Sequence, residues 1–317
     1  LTGGWLVRRV LLALLAAFGV GVLVFTLLRL IPGDVVTQLI GLEGNVSAAQ
    51  QAEMRRLFGL DQPIWMQFLS WFGALLRGDF GVSLRTDRPV FADLLLRFPV
   101  TLQLSAMALL FALLVGLPLG ILAALKRGKA ADLISSSFVL VGLAAPEFWL
   151  AILLILLFSL NLGWFPPNGY VSPGESLIGN LRSLFLPALA LSFGLAAATT
   201  RIVRASLLDV LSQDYIRTAH AKGLSGGSVV IRHALRNALI PVITVIGLQV
   251  GNLLGGAVII EQLFGLPGIG RFALEGINLR DYPVVQGAVL WIAVSYVLVN
   301  VVVDVLYGVI DSRVRYS

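Results

Sequence analysis

The chain contains no cysteine, so disulfides, thiolate metal sites and a cysteine nucleophile are all excluded. Only two histidines occur, His220 and His233. They share one short polar stretch, which leaves no spaced set of histidines and carboxylates to hold a metal elsewhere. Charge is also scarce. Asp, Glu, Lys and Arg make up 13% of the 317 residues, roughly half of what a soluble domain of this size carries. No G-x-x-x-x-G-K-[ST] phosphate loop is present, and Gly128-Lys129-Ala130 lacks the hydroxyl and the upstream glycine such a loop needs.

Apolar sequence takes the place of charge. Hydrophobic residues make up 58% of the chain and the mean hydropathy is +0.92, which defines an integral membrane protein. A helix of about 20 apolar residues crosses a bilayer core. Six such runs are read, at 10–31, 99–125, 134–160, 184–203, 238–260 and 284–310. The first run is too long for the apolar part of a signal peptide and no small-x-small cleavage site follows it, so it is assigned as an anchor. Segment 33–98 is mixed and polar, with an amphipathic piece beginning at Ala48, and is expected to be an extramembrane insertion.

Six spans put both termini on one side. Lys126, Arg127 and Lys129 fill one short loop, the residues from Arg201 to Arg236 fill the polar stretch, and Arg8, Arg9, Arg313 and Arg315 flank the ends. All fall on the terminal side, which the excess of basic residues in short inner loops makes cytoplasmic. The net charge of +6 is explained by these loops and gives no reason to expect nucleic acid. Pro118, Pro146, Pro187 and Pro241 lie in or beside spans, where neighbouring helices re-satisfy the freed backbone groups at a kink. Gly251, Gly255 and Gly256 would let another helix approach closely.

The polar stretch has its own pattern. Leu208, Leu211, Tyr215 and Ala219 fall on one helical face, with Asp209, Gln213 and Arg217 on another. Gly223 can end this helix in the left-handed conformation, and Ser225 can cap a second helix. Ala219, four residues before Gly223, leaves a small spot beside the turn where a partner backbone could approach. Spacing alone leaves two readings open, a docking elbow or a loop that covers helix ends.

Ordered motifs along the chain separate the two readings. They are Arg29-Leu30-Ile31-Pro32-Gly33-Asp34, Phe58-Gly59-Leu60-Asp61-Gln62-Pro63, Gly78-Asp79-Phe80-Gly81-Val82-Ser83, Phe98-Pro99-Val100-Thr101-Leu102, Phe148-Trp149-Leu150 and Leu162-Gly163-Trp164-Phe165-Pro166. The elbow follows, then Pro267-Gly268-Ile269-Gly270-Arg271, the run from Arg280 to Gly287 and the run from Asp311 to Tyr316. The sequence resembles the dipeptide, oligopeptide and nickel permeases of ATP-binding-cassette importers over nearly its whole length. Three departures stand out: His220 where these permeases usually carry Arg, Val35 after Asp34 where Pro is common, and Asp214 for the Glu of the broader motif.

The resemblance implies an all-α membrane protein of six transmembrane helices, like type I importer permeases. It divides the chain into an N-terminal part with the first helix (1–32), an extracytoplasmic insertion (33–98) and a core (99–317) with a coupling loop at 205–236. It implies that Asp214, Tyr215, Arg217, Ala219, His220, Lys222, Gly223, Leu224, Arg232 and His233 form the seat of an ATPase. It further implies a second, homologous permease subunit, two cytoplasmic ATPases that bind the ATP and Mg, and an extracytoplasmic binding protein. This chain would bind no cofactor, and its place would be a bacterial or archaeal cytoplasmic membrane. Leu224-Ser225-Gly226-Gly227-Ser228 matches the ATPase signature loop in letters only, since no phosphate loop accompanies it.

Ionisable and amide groups in or near spans are candidates for the translocation pathway, because a charge at a helix centre costs roughly 2.5–3.5 kcal/mol on insertion scales. Glu147, Gln249, Asn252, Glu261 and Gln262 are the candidates, while Asp304, near Asn300, is expected to anchor the last helix. A proton-coupled secondary transporter would need several intramembrane carboxylates and paired repeats. An intramembrane enzyme would need a nucleophile with its base. Neither pattern is present, so the reading is a permease for di- or oligopeptides, with nickel chelates, glutathione and opines as alternatives. Absence of cysteine argues against ligation of bare nickel in the pore. Because the chain is cysteine-free, single cysteines introduced at Ala48 and Ser225 should label from opposite faces of the membrane. Labelling of both from one face would overturn the topology.

Overall fold

A computed structural model describes residues 3–30, 48–57 and 60–310. The motif residues 31–34, 58–59 and 311–316, together with Val35, Arg313 and Arg315, lie outside the described residues. The described chain is almost wholly helical, and its one β-bridge joins Val82 to Pro89. The elements are α1 (Gly3–Leu30), α2 (Ala48–Leu57), α3 (Ile64–Leu76), α4 (Val90–Leu125), α5 (Ala130–Ala144) and α6 (Glu147–Leu154), the last continued by wide π-type turns at Ile155–Asn161. Then come α7 (Leu177–Leu211), α8 (Asp214–Ala221), α9 (Leu235–Gly256), α10 (Val258–Leu263), α11 (Ile269–Leu279) and α12 (Tyr282–Ile310). Five helices are long and apolar enough to cross a membrane, and the bent pair α5–α6 makes a sixth if counted as one span.

That bend corrects the straight span expected at 134–160. The two halves meet at 104°, because a residue before proline is forced out of the helical region and Pro146 cannot donate to the preceding turn. Ala145 is accordingly extended (φ −76°, ψ 126°) and Pro146 becomes the cap of α6. Pro99, Pro118, Pro187 and Pro241 are instead accommodated inside continuous helices.

Helices α4 and α7 form the centre. Gly116 and Gly120 bring the backbones together: a Cβ at Gly116 would stand 2.9 Å from the Ala196 carbonyl, and one at Gly120 would stand 2.7 Å from that of Thr200. Small residues are how helices without a hydrophobic drive between them gain packing area. Gly251 plays the same part on α9, where Tyr296 of α12 fills the space a side chain would need. Gly255 has nothing within 4 Å of that space.

The mixed segment 33–98 includes an apolar helix. Helix α3 packs its aromatic face along α1, with Phe25 against Phe68 (5.3 Å between ring centroids) and Phe18 against Phe72 (5.4 Å). Its thirteen residues are too few to cross a bilayer, which is why hydropathy over a span-length window passed it by. The helix that holds the span expected at 99–125 starts earlier, at Val90.

Candidate functional site

At one end of the bundle, α7 stops at Leu211, and Ser212 and Gln213 turn the chain through bonds to Asp209 O (3.2 Å) and Val210 O (3.1 Å). Gln213 is extended, and α8 begins afresh at Asp214. The single amphipathic helix expected through 208–222 is therefore two helices. The break resets the helical register, so Ile216 and Ala219 face inward while Tyr215 is exposed.

Helix α8 ends as the sequence predicts. Gly223 has φ +80°, its N–H meets His220 O (2.9 Å), and Leu224 N–H reaches back to Ala219 O (3.3 Å). This pair of bonds is a Schellman closure, which needs a left-handed residue at Gly223. Ser225 sits in extended backbone at the start of the next turn, but its hydroxyl makes no cap bond; Val229 N–H bonds its carbonyl instead. One α turn (Gly226–Ser228) and a π-type stretch (Val229–Ala234) run directly into α9. The fifth span thus begins at Gly226 rather than at 238.

The underside of this elbow is apolar. Ile216, Ala219, Val229 and Ala234 pack with Ala124 of α4, Leu207 of α7 and Ala238 of α9 in one buried cluster. Ala219 is only 7% exposed. That corrects its expected place on the partner-facing surface: its smallness lets α8 settle on its own spans. The outer face carries Asp214, Tyr215, Arg217, His220, Lys222, Gly223, Leu224 and Arg232, all exposed, with His233 half-buried. Asp214 and Arg217 pair loosely at 3.4 Å and stay open to solvent. Asn237 donates to the Tyr215 hydroxyl (2.9 Å), tying α8 to α9.

A second tie at this end was missed. Asp132, in the first turn of α5, accepts from Arg204 of α7 at 2.7 and 3.0 Å and from Gly128 N at 3.0 Å. An acidic residue opening an apolar helix was the available signal. Asp304 does anchor the last helix, through an ion pair with Arg9 of α1.

The pathway candidates separate. Glu261 is fully buried in this chain and caps a helix. Its Oε1 accepts from Thr101 Oγ1 (2.6 Å) and its Oε2 from Arg271 N (2.9 Å), with Gly270 N–H also directed at it. Thr101 Oγ1 in turn accepts from Ile269 N (3.0 Å). A threonine of α4 and a carboxylate of α10 thus jointly satisfy the first amides of α11, where a negative charge is favoured. Side chains at Gly268 or Gly270 would overlap this carboxylate or Val258, which gives a physical reason for the Pro267-Gly268-Ile269-Gly270-Arg271 motif. Gln262 is exposed. Gln249 has its Oε1 buried and without a partner among the described residues, and the Asn252 side chain lies outside what is described. Glu147 stands apart, exposed at the α5–α6 break.

Two further motifs meet at the same far end. Ser83 donates to the buried Asp281 (2.6 Å), Gly81 (φ +80°) passes beneath Pro283, and Arg85 reaches Leu279 O (3.1 Å).

Residues 116–316 match the family model described as binding-protein-dependent transport system inner membrane component, and residues 4–105 match the N-terminal model of the same transport systems. The chain belongs to this family of importer permeases. The di/tripeptide transport system permease of Pseudomonas aeruginosa (strain UCBPP-PA14) is 45% identical over 99% of both chains. The dipeptide permease of Escherichia coli (strain K12) is 40% identical, and the glutathione permease of the same strain 41%, each again over 99% of both chains. Among solved structures, an inward-facing MetNI methionine ABC transporter matches with TM-score 0.57 at 18% identity, covering 69% of this chain and 96% of that one. An amino acid ABC transporter solved with histidines matches at 0.51 and 17%, covering 70% and 94%. The permease is a multi-pass inner-membrane transport component and not a catalytic enzyme. Its family implies a complex with ATPase and substrate-binding-protein partners.

The buried cap makes a prediction that separates support from transport. Glu261→Ala should strand the amides of Gly270 and Arg271, at about 1–3 kcal/mol for each unsatisfied group. Thermal unfolding of the detergent-solubilised complex should shift down accordingly, and Gly268→Ala should do the same. A loss of uptake at unchanged thermal stability would return Glu261 to the pathway.

Proposed function

We propose that the permease supplies half of a translocation pore for di- or tripeptides handed over by an extracytoplasmic binding protein, paired with a homologous but different permease subunit. The observation that carries this reading is the full-length similarity to the di/tripeptide and dipeptide permeases at 45% and 40% identity. The elbow is the seat of one cytoplasmic ATPase, so both termini and the loop at 126–129 lie on the cytoplasmic side. The 33–98 segment and the α10–α11 hairpin then lie toward the outer face. ATP and Mg are held by the ATPase partners, and this chain holds neither.

The elbow's construction supports the coupling role. A force on the exposed face of α8 acts on a short helix closed at one end by Gly223 and packed beneath on α4, α7 and α9. Nothing soft intervenes between that face and the spans. The glutathione permease, 41% identical over the full length, favours glutathione as the second reading for the substrate.

The reconstituted complex should show ATP-dependent uptake of labelled dialanine, and transport of glutathione alone would select the second reading. Gly223→Val tests the elbow within the same assay. A Cβ at φ +80° has open space, so the cost is conformational, about 1–2 kcal/mol or more for a β-branched residue. Membrane insertion should be normal while ATPase binding and uptake fall together, and Asp214→Lys should act alike. Gly128→Val, equally strained at φ +74° with equally open space, should keep ATPase binding. Full uptake in Gly223→Val would remove the elbow from the coupling path.

A further inference from the structure

Glu147 is a carboxylate in the wrong solvent for a chain read in isolation. It opens α6 directly after the 104° break. Its Oε1 lies 3.9 Å from the position a Cβ would take on Gly194, the middle residue of the long span α7, which puts the carboxylate at mid-membrane depth. No ion pair or hydrogen bond reaches Glu147 among the described residues. The buried acids at helix ends and the acid near the end of α12 are matched, Glu261 by Thr101 and the α11 amides, Asp281 by Ser83, Asp132 by Arg204 and Asp304 by Arg9.

An exposed, unpaired carboxylate at that depth cannot face hydrocarbon, since intramembrane charges turn toward a bundle interior or a water-filled cavity. The α6 face bearing Glu147 therefore points into the aqueous path or against the second permease. Phe148 and Trp149, about half exposed, flank it with apolar surface. Di- and tripeptides and glutathione differ in length, side chains and linkage, but all carry a free α-ammonium at neutral pH. That cation is the group a lone mid-depth carboxylate would recognise.

We propose that Glu147 is a substrate-contacting residue of the translocation path, which receives the α-ammonium of the passing peptide. The break at Pro146 is what delivers it. An unbroken helix through 134–160 would carry residue 147 along the span axis, whereas the bend turns the first turn of α6 across it. This proposal rests on the peptide-permease reading above.

The cysteine-free chain permits a charge-restoration test in the complete complex reconstituted into proteoliposomes. Glu147→Cys and Glu147→Gln should retain the second permease, the ATPases and the ATP hydrolysis stimulated by loaded binding protein. Uptake of labelled dialanine should fall about ten-fold, as expected for loss of a charge-assisted contact. Modifying Glu147→Cys with sulfonatoethyl methanethiosulfonate, which restores a negative charge, should recover uptake several-fold. The trimethylammonium reagent should abolish it, and dialanine supplied with its binding protein should slow both modifications. Complex carrying the cysteine-free chain and treated alike is the control. Uptake within two-fold of wild type in both variants, or equal effects of the two reagents, would overturn the proposal. So would loss of the second permease from the complex, which would make Glu147 an intersubunit ion-pair residue. Failure of the wild-type complex to import dialanine would instead overturn the peptide reading.

Discussion

Backbone groups that leave a helix and are buried away from water must find partners inside the protein, and this constraint organises the permease where its helices start, stop or bend. At α11 it is met by Thr101 and Glu261, which bind the amides of Ile269, Gly270 and Arg271 in a site with no exposed surface. At α12 it is met by Asp281, whose carboxylate takes both the Ser83 hydroxyl and, more loosely, the Val284 amide. The turn after α10 closes through Gly169 N–H to Phe264 O (2.9 Å), which stitches the loop following α6 onto the α10–α11 hairpin. Each solution draws a partner from a distant part of the chain, so the far end of the bundle is held by capping rather than by apolar packing alone.

The elbow end closes its helices with local bonds. The Schellman closure at Gly223 uses carbonyls of α8 itself, and the short turns at Ser212 and Gln213 use those of α7. The rigidity this end needs comes from the cluster beneath it, in which alanines at 124, 219, 234 and 238 allow helix axes to approach. Substituting size for smallness there would lift α8 away from the spans without altering any charge. The exposed polar face and the small-residue underside are thus largely separable, joined to the membrane helices by the apolar cluster beneath and by the Asn237–Tyr215 hydrogen bond.

Much of this was legible in the sequence, and the limits have physical reasons. Spans were found because length and hydropathy suffice in a medium that demands internal hydrogen bonding. The left-handed Gly223 was found because glycine after an amphipathic stretch has few other uses there. Tyr215 was read on the same face as Ala219 and the α7 leucines because the sequence does not show that Ser212 and Gln213 interrupt the helix, and that break puts Ile216 rather than Tyr215 beside Ala219 in the core. Pro146 was read as a kink like its neighbours. Sequence gives no way to know that the other prolines sit in helices whose neighbours hold them straight. Glu261 was placed on the pathway because an acid near a span reads as functional until its partners are known, and those partners, Thr101 and the α11 amides, lie up to 160 residues away in the chain. The motifs around Gly81, Thr101, Gly268 and Asp281 were legible as family resemblance but not as contacts, since nothing in their spacing says that they meet.

Once the far end is assembled, its acids are consumed by structure. Glu261 is occupied by three donors and Asp281 by two, so neither can follow a moving ligand without breaking those bonds. A carboxylate that caps a helix must stay still, because releasing it exposes amides in a place where nothing replaces it. The same logic applies to Asp132, locked to Arg204 and to the Gly128 amide. Tight capping therefore fixes these three carboxylates in place.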